Sequence, residues 1–461
     1  SQTMTPLVIP LLVQQFVGEQ NKGAYFGQLR LWTLMTALLV QALIGTVSDR
    51  STHPWGKRRP FILAGTMGVV VVLVLVGFVA GLEGMSGYWA LFTLVILQMV
   101  FANTAHGALQ GLIPDLAPDQ LRGRFSSIKA VLEIPLPVIL VSFTIARLIS
   151  ASNLWGGLMV LIVILLLVMA ATMFVKETPQ KQAPFQAPWD NYLRLVLMTA
   201  AFTLVILTLG RLIHLTDFTS ARLSSMQLII FTGALGLIAM TLAVALGVWV
   251  SVNIAAGMDA RCLPSFTWWV THRLAYLVGS TNLASFAVYF LQGRFGLQGV
   301  KAAAPAAMLT MFVGVFLLVS AVPSGWLSDR FGKKPLLAIS GMGACLGTLV
   351  VISAPTLTLV YAGGALIGAA TGLFYTANWA LGTELVPKSQ AGRFLGISNL
   401  AGAGAGAVGA YIGGPIADYI TLQTPGFPGM GYLVLFVIYG LMFLLSAVAL
   451  IGVKQKGTSA D

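Results

Sequence analysis

Residues 45–60 read GTVSDRSTHPWGKRRP, and residues 325–335 read GWLSDRFGKKP. Gly45 matches Gly325, Asp49 matches Asp329 and Arg50 matches Arg330. Gly56 matches Gly332 after a short insertion. A second pair of blocks follows in the same order. Residues 115–128 read DLAPDQLRGRFSSI, and residues 384–397 read ELVPKSQAGRFLGI. Asp115, Pro118, Gly123, Arg124 and Phe125 fall on Glu384, Pro387, Gly392, Arg393 and Phe394 at one constant offset. Two matched blocks in one order predict two homologous halves joined in tandem.

The sequence around these blocks is apolar. The 461-residue chain is 57% hydrophobic and 9% charged, against about 25% charged in soluble domains. Its mean hydropathy is +0.89. These values exclude a soluble enzyme, a nucleic-acid binder and a disordered chain. They predict an all-α polytopic membrane protein. The apolar runs are far longer than the roughly ten-residue strands of a membrane barrel, so helices must carry the backbone through lipid. About fourteen runs can be read: 5–17, 26–48, 60–82, 88–114, 125–150, 154–175, 191–213, 225–256, 265–292, 302–327, 335–354, 356–383, 394–420 and 431–453. The first falls short of the roughly 20 residues a span needs, and reads as a truncated first helix. Six runs per half leave two over, 191–213 and 225–256. The expected organisation is a bundle over residues 1–176, a linker with two added helices over 177–263, and a second bundle over 264–461.

Placing the loop with Lys57, Arg58 and Arg59 in the cytoplasm puts most of the 26 Lys and Arg residues on that side. Both termini are then cytoplasmic, as in a multi-pass protein of the inner (plasma) membrane. The net charge of +12 is explained by the anionic inner leaflet and calls for no nucleic acid. Cys262 and Cys345 lie far apart and form no disulfide or metal framework. No G-x-x-x-x-G-K-[ST] phosphate loop is present. The chain therefore reads as a non-enzyme without cofactors.

The doubled G-x-x-S-D-R-x-G-K-R/K loop resembles the signature of the major facilitator superfamily. Its longer form here, SDRSTHPWGKRRPFILAG, is similar to the sucrose/proton symporters and to the wider glycoside–pentoside–hexuronide:cation symporter group. AHGALQGLIPDLAPDQLRGR, the W-W-x-x-x-R pattern of Trp268, Trp269 and Arg273, and YFLQ at 289–292 are similar to bacterial members of that clade. The resemblance implies a major facilitator fold and alternating access, with two bundles rocking about a midplane site and an ion gradient as driving force. It also implies that the first, fourth, seventh and tenth helices of the repeat line the cavity.

Candidate residues follow. Asp49, Arg50, Arg58, Arg59, Asp329 and Arg330 form a first ring of gating charges. Asp115, Arg124, Glu384 and Arg393 form a second. Such pairs latch the two halves together across the cytoplasmic face, or simply anchor loops. Gln14 and Gln15 are the polar contribution of the first run. Asn103, His106 and Gln110 share a face at i, i+3, i+7, as do Asn282, Ser285 and Tyr289. The repeat sets His106 opposite Tyr375 and Gln110 opposite Trp379, with Asn378 beside them. Rings over C–H surface and amides toward hydroxyls make a sugar site; the alternative is helix–helix hydrogen bonding.

Charges inside the span are expensive and mark function. Glu133, followed by Pro135 and Pro137, is the candidate proton carrier unless Lys129 pairs with it; His106 is the second candidate. Arg273 also needs a partner, and Glu133 could supply it. The 26–48 run has no acid, and the 88–114 run none before Asp115, which argues against the sodium site of the melibiose-permease branch. The glycine-rich runs 363–372 and 402–414 read as packing seams.

The expected function is secondary transport of a small polar solute, a sugar or glycoside, by proton symport. Its partners are then the bilayer, the solute and protons. The rival readings are a carrier of another metabolite or drug, and a non-transporting subunit of a larger membrane complex.

Overall fold

The computed structural model describes residues 4–110, 112, 135–175, 177, 189–214, 224–256, 264–385, 391–427 and 429–454. Helices account for almost all of them: α1 (Ile9–Val17, entered through a π-helical turn Met4–Val8), α2 (Lys22–Asp49), α3 (Arg59–Val79) and α4 (Gly84–Gln110) come first. The chain continues through α5 (Pro135–Leu140), a π-helical turn Val141–Ile145, α6 (Ala146–Ser150) and α7 (Leu154–Met173). Then come α8 (Trp189–Gly210) and α9 (Ser225–Ala256), followed by α10 (Pro264–Ser285), α11 (Ala287–Phe295), α12 (Ala303–Phe331) and α13 (Lys333–Ser353). The last three are α14 (Leu357–Leu385), α15 (Ala391–Gln423) and α16 (Met430–Ala449).

Among the described residues, 11 helices are long and apolar enough to cross a membrane, or 12 if α10 and α11 form one bent span. Met4–Val17 and Val141–Ser150 are shorter apolar helices at the sites of the first and fifth sequence runs. The expected count of about fourteen is not reached among the described residues, which hold 11 spans, or 12 with the bent pair, and these two shorter segments.

Both glycine-rich runs lie at helix contacts. On α14, a Cβ on Gly368 would run into the Val313 backbone of α12, and one on Gly372 into Leu317 and Ser320. Between α2 and α15, Gly23 and Gly27 face Gly414 and Ala410, backbone against backbone. Both pairs are small residues spaced by four, the pattern that lets helices approach closely where lipid supplies no hydrophobic drive. We expect Gly368→Leu to prevent stable folding, because rigid backbone stands where the side chain must go. Gly402→Leu should be tolerated, since nothing lies within 4 Å of a Cβ there. Thermal melting in detergent tests both, and equal melting temperatures would refute the assignment.

The two added helices pack on each other. Phe202 of α8 fills the space over Gly247 of α9 and Gly404 of α15. Tyr411 of α15 covers Gly210, and Ile416 covers Gly236 of α9. The pair thus leans on α15 through aromatic and aliphatic contacts.

Candidate functional site

The repeat loops form charged corners on one face of the protein. Arg58 is buried, with its Nη1 donating to Ser48 Oγ at 2.5 Å and its Nη2 bonded to Asp49. Its backbone N–H donates to Glu177 Oε2 at 2.9 Å, and Arg59 donates to the Met173 carbonyl. In the second repeat Lys333 pairs with Glu384, and Arg330 lies over the Trp326 ring at 5.2 Å. Asp329 is exposed. The expected latch between halves is therefore not what Asp49 and Glu384 make here: each bonds within its own repeat. Asp115, Arg124 and Glu133 lie outside the described residues. So does the side chain of Arg393.

At the opposite face the two repeats are stitched together. Tyr289 donates to the Pro10 carbonyl at 2.7 Å, and Gln292 to Gln14 Oε1 at 2.8 Å. Lys22 bonds Glu19 at 2.6 Å and Gln292 at 3.1 Å. Burial works against charge on Glu19, yet the bonds from Lys22 and Gln14 hold its carboxyl below the ordinary value. Asp418 of α15 accepts from the Gly23 and Ala24 backbone N–H groups and from the Tyr432 hydroxyl. Deeper in the seam, Ser142 donates to the Ala307 carbonyl at 2.8 Å. Among the described residues, the hydrogen bonds between the repeats gather at this face.

These contacts reassign several residues expected in a sugar pocket. Gln14 and Tyr289 belong to the closed face. Gln15 is exposed and donates to the Ala80 carbonyl at 2.9 Å, in a cleft of about 550 Å³ bordered by Phe78 and Trp155. Asn282 and Ser285 serve the 58° bend between α10 and α11. Ser285 Oγ donates to the Thr281 carbonyl at 2.8 Å, and Thr281 Oγ1 to the Leu277 carbonyl at 2.6 Å. Such back-bonding bends helices. Asn282 donates to the Val278 carbonyl and across to the Ala405 carbonyl of α15. Only its Oδ1 is left unpaired. On α4, Asn103 bonds its own helix at Met99, and His106 and Gln110 bond each other at 2.9 Å.

The remaining predicted residues converge. Arg273 of α10 is 9% exposed, and its Nε has no partner. Its guanidinium lies 5.6 Å from the Trp379 ring and 5.9 Å from the Trp269 ring, within cation–π reach. Asn378 is fully buried, with both side-chain polar atoms unpaired. Its backbone carbonyl accepts from Trp269 Nε1 at 3.1 Å. Tyr375 and Trp379, one helical turn apart, are exposed. Tyr375 also lines a cavity of about 170 Å³ with Thr281, Thr310 and Thr371. The scaffold behind is rigid: Tyr276 stacks on Phe374 at 3.7 Å, and His272 is bonded to Ser446. The cluster sets the exposed Tyr375 and Trp379 rings over buried polar groups that lack partners. Arg30 of α2 is a second buried cation with an unpaired Nε, beside Gly406.

Known proteins share stretches of the sequence and the architecture. Residues 269–460 match the family model described as Major Facilitator Superfamily, and residues 33–184 match that of Sugar (and other) transporter. The second half of the chain thus carries the sequence pattern of the major facilitator superfamily. A human protein, solute carrier family 45 member 4, is 42% identical over 80 residues, 17% of this chain and 10% of that protein. Sucrose transport protein SUC3 of Arabidopsis thaliana is 30% identical over 103 residues, 19% of this chain and 17% of its own. The matched segments thus span under a fifth of either relative. Among solved structures, the D-xylose-proton symporter superposes with a TM-score of 0.63 at 17% identity, covering 97% of this chain and 93% of that one. An inward-open xylose transporter from E. coli gives 0.62 at 18%, covering 100% and 94%. These likenesses carry the superfamily fold across the whole chain.

Asp418 escaped the sequence reading. Its signal was a lone carboxylate in the apolar stretch GGPIADYI, just past the glycine run.

Proposed function

We propose that the chain is a secondary transporter that carries a sugar or glycoside together with protons by alternating access. Its division is then a bundle over 1–176, an insert over 177–263 and a bundle over 264–461. The observation that carries this reading is the buried Arg273, with no partner at Nε, lying over the Trp269 and Trp379 rings beside the exposed Tyr375. A guanidinium that keeps its charge in a membrane protein needs water or a ligand at its open side. The exposed faces of Tyr375 and Trp379 therefore border a wet cavity rather than lipid. Indole and phenol faces cover sugar C–H surface, while guanidinium and amide bond its hydroxyls. The match to the sugar-transporter family and the sucrose-transport relatives support that solute class.

With the repeat loops cytoplasmic, the stitched face is external and the conformation is inward-open. The decisive experiment is uptake into liposomes across a panel of sugars and glycosides, with and without an inward proton gradient. At least one sugar should accumulate, more strongly with external acid. Trp379→Ala should raise its KM about 30-fold, since cation–π contact and ring burial each contribute on the order of 1 kcal/mol. Uptake of no sugar, or an unchanged KM in that variant, would falsify this reading.

A further inference from the structure

The α2 helix begins without a cap of its own. Asn21, at the N-cap position, makes no side-chain bond to the first turn. The backbone N–H groups of Gly23 and Ala24 are the second and third of the helix, the two that an N-cap side chain normally satisfies. They are satisfied from the other repeat. Asp418 Oδ1 accepts from Gly23 at 3.0 Å, and Oδ2 from Ala24 at 2.7 Å. Oδ1 also accepts from the Tyr432 hydroxyl at 3.0 Å. The carboxyl is 7% exposed. Facing it are Lys22 on α2, Glu19 in the preceding loop, Tyr432 on α16 and Tyr289 on α11. Lys22 Nζ lies 4.8 Å from the Tyr289 ring and 5.6 Å from the Tyr432 ring.

We propose that Asp418 is a proton-binding site that controls opening of the face opposite the repeat loops. Ionised, it caps α2 across the seam and keeps that face closed; protonated, it releases α2 and the face opens. The balance is simple. The ionised carboxylate is acceptor-only and takes all three donors. It also sits at the positive end of the α2 dipole. One proton added to a carboxylate oxygen cancels the charge that the dipole and Lys22 attract, and brings a fourth hydrogen into a set of three donors. When the seam parts, Gly23, Ala24 and Lys22 leave with α2, and Asp418 is bared to the compartment on that side. Proton uptake from that compartment is thereby tied to opening toward it. This rests on the transport reading above and adds to it the residue that senses the driving ion.

The test needs no solute, so it stands apart from the identity of the cargo. In the full chain with Cys262→Ser and Cys345→Ser, spin labels are placed at Gln20→Cys and Leu422→Cys, both exposed positions flanking the seam. Pulsed electron-spin distances are then recorded in lipid nanodiscs from pH 8 to pH 5. The wild-type seam should gain a longer-distance population at least tenfold larger at pH 5 than at pH 8. Asp418→Asn should show one open fraction at all pH values. Should that variant not fold, Tyr432→Phe removes a donor from the ionised form alone, and its seam should open at higher pH than wild type. A pH-independent wild-type distribution overturns the proposal. So does a full pH response in Asp418→Asn, or an unshifted one in Tyr432→Phe.

Discussion

Gly414→Leu should abolish net uptake while leaving a folded protein. The reason lies in the α2–α15 seam, where a Cβ on Gly414 would fall on the Gly23 carbonyl. That obstacle is backbone and cannot turn aside as a side chain would, so α2 must part from α15 and lose its bonds to Asp418. With leucine in place the two helices stay apart and the face opposite the repeat loops cannot close. In alternating access this seam opens in every cycle, so its loss removes one conformation rather than the fold. Helix propensity even favours the exchange, by about 1 kcal/mol per glycine replaced. We expect at least a 100-fold loss of uptake, with the melting temperature in detergent lowered far less than by Gly368→Leu inside the second bundle. Retained transport would mean that the seam is not a moving part.

The repeat loops were legible because they recur in sequence. Two copies of G-x-x-S-D-R define the chain's duplication without any structure, and the structure pairs Asp49 with the Arg58 of its own loop. The cavity residues were only partly legible. Periodicity places Asn282, Ser285 and Tyr289 on one face of a straight helix, but it cannot say that the helix bends by 58° between Ser285 and Ala287. At a bend, hydroxyls and amides are taken up by loosened carbonyls, so a polar stripe becomes structural. Arg273 stood out because a cation in a span demands a partner, and one of them, Trp269, is a turn earlier on the same helix. The contact with Trp379 on α14 required the fold. Asp418 was hidden for a different reason. Two of its partners are backbone N–H groups nearly the whole chain away, and a backbone donor leaves no mark in a sequence.

Arg273→Met should separate binding from stability in opposite directions. A guanidinium that is 9% exposed, without a hydrogen bond at Nε and without a carboxylate among the described residues, is held only by its ring contacts. Removing a buried, uncompensated charge in favour of an apolar side chain of similar length relieves desolvation, so the melting temperature should hold or rise. Binding should collapse. Each hydrogen bond to a charged donor contributes about 1.5–3 kcal/mol, and a guanidinium fork placed against vicinal hydroxyls makes two, which amounts to a loss of at least 100-fold in affinity. Arg273→Lys keeps the charge but not the fork, and should recover only a small part of it. Equilibrium binding of the transported sugar, measured beside thermal melting on the same preparations, separates the outcomes. If Arg273 were a structural strut, Met would lower the melting temperature and leave the affinity of the surviving protein unchanged.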